Sequence, residues 1–145
     1  MKVAIGNDHI GIILKNSLDD YFKANRIDVV HFGTYTEERM NYPEVAFRLS
    51  ESLLTDNFNS GLLFCGTGIG MSIAANKVAG IRAVVCSDKY SARMSREHND
   101  ANILCLGSRV VDTKKAILIL DEWFNASYVG DRHQTRVDMI NGYGK

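Results

Sequence analysis

Five short apolar runs, several rich in β-branched residues, recur along the chain and alternate with longer stretches in which apolar residues return every three or four positions. The short runs lie at about 2–6, 28–32 (Asp-Val-Val-His-Phe), 61–65, 81–86 (Ile-Arg-Ala-Val-Val-Cys) and 103–106. Their unbroken hydrophobicity is that of strands buried on both faces. The longer stretches predict helices over about 11–25, 42–57, 69–79, 89–97, 112–125 and 132–142. In the first of these, Ile12, Ile13, Leu14, Leu18, Tyr21 and Phe22 form an apolar stripe at helical spacing. Pro43, the only proline, suits the first turn of the second helix. Strand–helix alternation with right-handed crossovers predicts an α/β fold: a doubly wound, three-layer α/β/α sandwich around a five-stranded parallel sheet. No linker, repeat or low-complexity segment interrupts residues 1–145, so a single domain is expected. The polar 132–142 helix, with few large apolar residues, is expected to dock on a partner subunit.

The pattern changes character most abruptly at Gly61-Leu62-Leu63-Phe64-Cys65-Gly66-Thr67-Gly68-Ile69-Gly70-Met71-Ser72. An apolar strand breaks into alternate glycines and resumes as a helix. Glycines allow tight turns and close approach of a ligand to the backbone, and the free N–H groups at a helix start can bind an anion. Cys65 ends the strand at the lip of this loop. The stretch lacks the Gly-Lys-Ser/Thr ending of a P-loop, and Met71 departs from a strict GxGxxG. Asp88, about 20 residues on, stands where a dinucleotide fold would place its ribose acid, so a cofactor site and a purely structural loop remain alternatives to an oxyanion or phosphate cradle.

Composition narrows the classes. The 145 residues suffice for a substantial core, with 46% hydrophobic and 23% charged residues. Lys+Arg and Asp+Glu both number 17, so nothing favours nucleic acid or an anionic membrane surface. No apolar run approaches the roughly 20 residues of a membrane span, and the first residues lack a signal-peptide pattern, so a cytoplasmic protein is expected. The three cysteines, Cys65, Cys86 and Cys105, form no CxxC, which argues against disulfides or a zinc site. Cys86 and Cys105 read as small buried hydrophobes.

In parallel α/β sheets ligands bind beyond the carboxyl ends of the strands. Those positions hold Asn7-Asp8-His9, Gly33-Thr34, Cys65 to Gly68, Ser87 to Tyr90 and Gly107-Ser108-Arg109. Arg132 and Arg136 are four apart on one helix face, a pairing that suits a phosphate, although surface arginines give the same pattern. His98 and Asn99 close the helix that begins near Asp88; His98 can exchange a proton near neutral pH, or the cluster is simply a polar helix end.

Taken together, these motifs resemble the ribose-5-phosphate isomerase B family, which includes galactose-6-phosphate isomerase subunits. The resemblance spans the whole chain: Gly6-Asn7-Asp8-His9, Cys65-Gly66-Thr67-Gly68-Ile69-Gly70, Ala74-Ala75-Asn76-Lys77, Gly80-Ile81-Arg82-Ala83, Ser95 to Asn102, Gly107-Ser108-Arg109, and Arg132-His133-Gln134-Thr135-Arg136-Val137. Many members carry a different residue at Asn7, which leaves the Asp-His pair intact. The resemblance implies a Rossmann-like fold, no cofactor or metal, and a homodimer or homotetramer with sites between subunits. It implies Cys65 as general base, His98 as the acid that helps open the sugar ring, and Asp8 and Thr67 beside them. The backbone of Gly66, Thr67, Gly68, Ile69 and Gly70 would form the oxyanion hole. Asn99 would bind the sugar, and His9, Arg109, Arg132 and Arg136 would clamp the phosphate.

These expectations define an aldose–ketose isomerase that converts ribose 5-phosphate to ribulose 5-phosphate through an enediolate. Phosphorylated hexoses such as allose 6-phosphate or galactose 6-phosphate are the alternative substrates. A non-catalytic nucleotide-binding module is the alternative of a different class.

Overall fold

The computed structural model describes residues 1–144; Lys145, the last residue of the expected domain, lies outside the described residues. Five strands form one parallel sheet in the order β2-β1-β3-β5-β4: β1 (Lys2–Asn7), β2 (Asp28–His31), β3 (Ser60–Cys65), β4 (Ala83–Val85) and β5 (Ile103–Gly107). Between and after them run α1 (Ile12–Ser17), α2 (Asp19–Ala24), α3 (Tyr42–Thr55), α4 (Ile69–Ala75), α5 (Lys89–Asn99), α6 (Thr113–Asn125) and α7 (Arg132–Gly142). The expected three-layer sandwich is what forms.

Alternation along the strands sorts the core into two halves. Val3, Ile5, Leu62, Phe64, Leu104 and Leu106 face α1, α2, α5 and α6, where Leu14, Leu18, Phe22, Ala92, Ile119 and Trp123 meet them. Ala4, Leu63, Cys65, Ile103 and Cys105 face α3 and α4, against Val45, Leu49, Met71 and Ala75. The central strands β1, β3 and β5 are buried on both sides, as their unbroken apolar runs require.

Three boundaries differ from the sequence expectation. The 11–25 helix is two helices, broken at Leu18. There the Leu18 N–H bonds Lys15 O in a tight i−3 turn, and the Ser17 hydroxyl donates to Leu14 O. The apolar stripe survives the break in part: Ile12, Leu14, Leu18 and Phe22 are buried and Tyr21 is half-buried, whereas Ile13 faces outward, 61% exposed. The 69–79 helix ends at Ala75 because Asn76 turns its side chain to β4: Nδ2 donates to Ala83 O and Oδ1 accepts from Ala83 N, each at 2.8 Å. The expected 81–86 strand shrinks to three residues, since Ile81 N bonds back to Val78 O and Arg82 N is taken by the Asn102 side chain. Helices α5 and α6 start where the sequence indicates, because Asp88 and Asp112 each accept the amide three residues on, at 2.8 Å. Among the described residues, no helix is long and apolar enough to cross a membrane.

Candidate active site

The sheet order reverses between β1 and β3: from β1 the chain winds outward to β2, and from β3 it winds to the other side. Such a switch point opens a crevice at the carboxyl edge. Asn7 pairs with Phe64 across it, so Asp8 and Cys65 are the next residues out on either side. Three of the sequence-indicated loops meet here: Asp8 and His9 after β1, Cys65 with its glycine loop after β3, and Arg109 after β5.

The glycine loop is held tightly. Gly68 has φ +80, the left-handed region, and its N–H donates to Cys65 Sγ at 3.1 Å. Gly107 lets the loop cross the end of β5; a β-carbon there would stand 2.6 Å from Thr67 Cα. The Cys65 carbonyl accepts Ser108 N at 2.8 Å, and the Gly66 carbonyl accepts Arg109 N at 3.0 Å, so β5's exit is stapled to the loop. Cys65 itself is a free thiol, 5% exposed. Sγ therefore sits in a dry pocket with a backbone donor against it, a contact that strengthens when sulfur carries charge.

The loop's amides are not equivalent. Gly68 N–H is spent on Sγ, and Ile69 N–H on Thr67 Oγ1 at 3.3 Å. Those of Gly66, Thr67 and Gly70 have no acceptor among the described residues and are the ones free to meet an oxyanion. The carboxylate of Asp8, 5% exposed, accepts Ile10 N at 2.9 Å and Gly11 N at 2.7 Å through Oδ1, which holds the β1–α1 turn. Oδ2 has no partner among the described residues. His9 is half-buried, its Nδ1 accepting Met40 N at 3.4 Å. A cavity of ≈ 580 Å³ opens beside it, lined by His9 and Arg39 to Pro43.

The other expected site residues are elsewhere. Helix α5 runs back from the carboxyl edge, so His98 and Asn99 end at the amino edge, beside the start of β5. The five residues of β5 alone span about 13 Å. The face differs too: α5 packs on the side opposite that of Cys65. The sheet itself separates His98 from Cys65 within one chain. Arg132 and Arg136 stay with His98. His133, between them in sequence, stacks on His98 with ring centroids 4.2 Å apart and planes 9° from parallel. Burial, and then the neighbouring His98, Arg132 and Arg136, push His133 below its ordinary pKa. Arg132, Arg136 and Asn99 are exposed.

Sequence reasoning gave Arg82 no role, yet it fixes this second cluster. Its guanidinium donates to the carbonyls of Asn99 and Asp100, pairs with the Asp100 carboxylate at 2.9 Å, and reaches Asn141 Oδ1 on α7 at 3.1 Å. Tyr42, read only as a helix start, lays its ring against Gly70, where a β-carbon would stand 2.6 Å from it. The spacing of neither residue pointed to these contacts, which join distant parts of the chain. A cavity of ≈ 670 Å³ lies at the amino edge between α4, β4 and α7 and includes Asn99.

Asp88, the candidate ribose acid, is engaged with Ser91 through both oxygens at 2.8 Å and caps α5. Among the described residues, no group of three or more His, Cys, Asp or Glu is placed to hold a metal.

The chain matches the family model described as Ribose/Galactose Isomerase over residues 3–140. It is 48% identical to ribose-5-phosphate isomerase B of Escherichia coli (strain K12) over 139 residues, 96% of this chain and 93% of that protein. It is 39% identical to the D-erythrulose-4-phosphate isomerase of Pectobacterium atrosepticum over 144 residues, 99% of this chain and 95% of that one. The solved structure of a Clostridium thermocellum ribose-5-phosphate isomerase B superposes with a TM-score of 0.94 at 49% identity, covering 97% of this chain and 95% of the other.

Proposed function

The chain belongs to the ribose/galactose isomerase family, and from that membership we propose that it interconverts ribose 5-phosphate and ribulose 5-phosphate through a cis-enediolate. The observation that carries this reading is Cys65, a dry thiol at the switch point beside three unpartnered loop amides.

With the sugar open, the Cys65 thiolate takes the proton from C2. The electron pair of that C–H bond forms the C1=C2 double bond, and the carbonyl pair moves onto O1. The amides of Gly66, Thr67 and Gly70 meet the negative oxygen, which exists only during reaction, so their binding energy lowers the barrier and not merely KM. A proton passes between O2 and O1, with Asp8 Oδ2 and the Thr67 hydroxyl at hand. Cys65 then returns its proton to C1 and leaves the ketone at C2. His9 and Arg109 hold the phosphate from the same chain, fixing the reacting carbons over Sγ.

His98, Asn99, Arg132 and Arg136 enter from a second copy. A two-fold pair brings the amino-edge cluster of one chain over the carboxyl-edge crevice of the other, and each chain then supplies half of two sites. Support comes from the exposed apolar residues beside both halves: Ile69 and Ile73 on α4 flank the glycine loop, and Met139, Ile140 and Tyr143 project from the C-terminal helix region. In this homodimer, or a tetramer built from two, the second copy's His98 protonates the ring oxygen as the sugar opens. Its Asn99 holds a hydroxyl, and its Arg132 and Arg136 complete the clamp. A cytoplasmic setting and operation without a cofactor belong to the same reading.

A phosphorylated hexose, allose 6-phosphate or galactose 6-phosphate, is the second reading, favoured by the space beside His9. One assay separates the two: pure protein with ribose 5-phosphate, allose 6-phosphate and galactose 6-phosphate, with no added metal or cofactor. Ribose 5-phosphate is expected to give the highest kcat/KM. Turnover of none of the three would overturn the isomerase reading.

Replacing Arg136 with Ala is expected to raise KM for ribose 5-phosphate about tenfold with kcat little changed. A lost phosphate contact is binding lost equally in ground and transition states. An unchanged KM would remove Arg136 from the clamp.

A further inference from the structure

One buried side chain ties the turn after β1 to the segment after β2. Asn7 is 0% exposed. Its Nδ2 lies 3.0 Å from each of two carbonyl oxygens, those of Asp8 and Thr34. Carbonyls only accept, so the amide nitrogen must face them and the amide oxygen must face the other way. There Oδ1 meets His31 Nε2 at 2.5 Å. An amide oxygen also only accepts, so the imidazole carries its proton on Nε2. The backbone adds a further link, Thr34 N to Asn7 O at 3.2 Å. Gly33 presses so closely that a β-carbon on it would stand 2.4 Å from Asn7 N.

These bonds join two loops at the carboxyl edge. One loop bears Asp8 and His9. The other runs from Gly33 to Asn41, returns to His9 through the Met40 amide, and with the start of α3 walls the cavity lined by His9 and Arg39. Any change in how the loops meet therefore moves the imidazole of His9 relative to that wall.

We propose that Asn7 and His31 form a latch that sets the position of His9 against the 39–43 segment, and through it the fit of the substrate's phosphate end. The proposal rests on the isomerase reading and on His9 as part of the clamp. Asn7 and His31 are positioning residues; neither touches the substrate in this scheme.

The latch works with a neutral ring. Nδ1 of His31 is buried and has no partner among the described residues, so a second proton would leave a buried donor unsatisfied. Burial, then the positive charge of Lys15, push His31 below its ordinary pKa, with Asp19 opposing. The ring of Tyr35 lies edge-on to the imidazole, with centroids 4.4 Å apart.

The test uses the intact protein at pH 7.5 and two variants. His31→Ala removes the donor; His31→Gln places an amide N–H near the position of Nε2. In His31→Ala, KM for ribose 5-phosphate is expected to rise about fivefold with kcat within twofold, the loss of one net hydrogen bond's worth of positioning. His31→Gln is expected to restore KM to within twofold of the parent. An unchanged KM in His31→Ala, a fall in kcat as large as the rise in KM, or a Gln variant as impaired as Ala would each overturn the latch. Nitrogen-15 spectra of the parent's imidazoles give a second readout. A His31 proton found on Nδ1, or on both nitrogens, would overturn the proposal even if His31→Ala failed to fold. A titration with inorganic phosphate, followed at the His9 ring signals, is expected to show the same fivefold weakening in His31→Ala; an undiminished affinity would count against the latch. A parent that turns over no sugar phosphate defeats the isomerase reading instead, and the tautomer and phosphate measurements still decide the latch.

Discussion

Cys65→Ala is expected to lower kcat for ribose 5-phosphate by roughly a thousandfold while leaving the fold and KM nearly as they were. A positioned general base contributes about 10²- to 10⁴-fold, and in the proposed scheme the other groups of the carboxyl-edge crevice have different tasks. Asp8 has one oxygen committed to the amides of Ile10 and Gly11. His9 belongs to the distal side, against Met40. The thiol is small, so its removal leaves a void of about one atom and costs on the order of 1 kcal/mol of stability. The loop is held independently by the left-handed Gly68 and by the bonds from Ser108 and Arg109. Circular dichroism and a urea midpoint close to the parent would show that the protein is intact. Cys65→Ser is the sharper control: it keeps the shape but replaces the thiol with a hydroxyl, a group that is intrinsically a much weaker acid, and its activity should stay near that of Ala. Activity of either variant within tenfold of the parent would remove Cys65 as the base.

The second large effect concerns where a complete site is found. In the proposed scheme Cys65→Ala lacks the base, and a double variant His98→Ala, Arg136→Ala lacks the half supplied from the amino edge. Each homodimer is expected to be nearly inactive. A hybrid dimer, isolated by a different affinity tag on each chain, holds one site with both halves intact and one with neither. It should show about half the activity of the parent dimer, since two-fold symmetry makes two equivalent sites. The expectation follows from the sheet. Cys65 looks toward α3 and α4 at the carboxyl ends, whereas His98 closes α5 on the opposite face at the amino ends. Motion of side chains does not cross that distance. A hybrid no more active than its parents would show that each chain works alone, and would overturn the shared site.

Much of this was legible in residues 1–145 taken as a string. Strand and helix patterns are local periodicities, so the five strands appear near their places. Asp88 and Asp112 announce helix starts because an N-cap acts within three residues. The carboxyl-edge group was legible for a similar reason: in a parallel sheet, whatever follows a strand lies at one edge, so Asp8, Cys65, Thr67 and Arg109 fall together without knowledge of strand order. What failed to show depends on distant partners. The early end of α4 rests on Asn76 reaching Ala83, and the short β4 on Asn102 reaching Arg82. The role of Arg82, the stacking of His133 on His98, and the Asn7–His31 contact likewise join residues far apart in sequence.

The alternate glycines around Cys65 already marked a strand, a sharp turn and a helix, because φ at Gly68 and the passage over Gly107 leave little else that fits. Composition and pattern determined the layers and the edge at which chemistry is available. Only the tertiary structure decided that the loop's amides are divided between holding Sγ and remaining free. Only it decided that the sheet stands between the thiol and the histidine, since which face and which edge a side chain reaches is a property of the packed sheet.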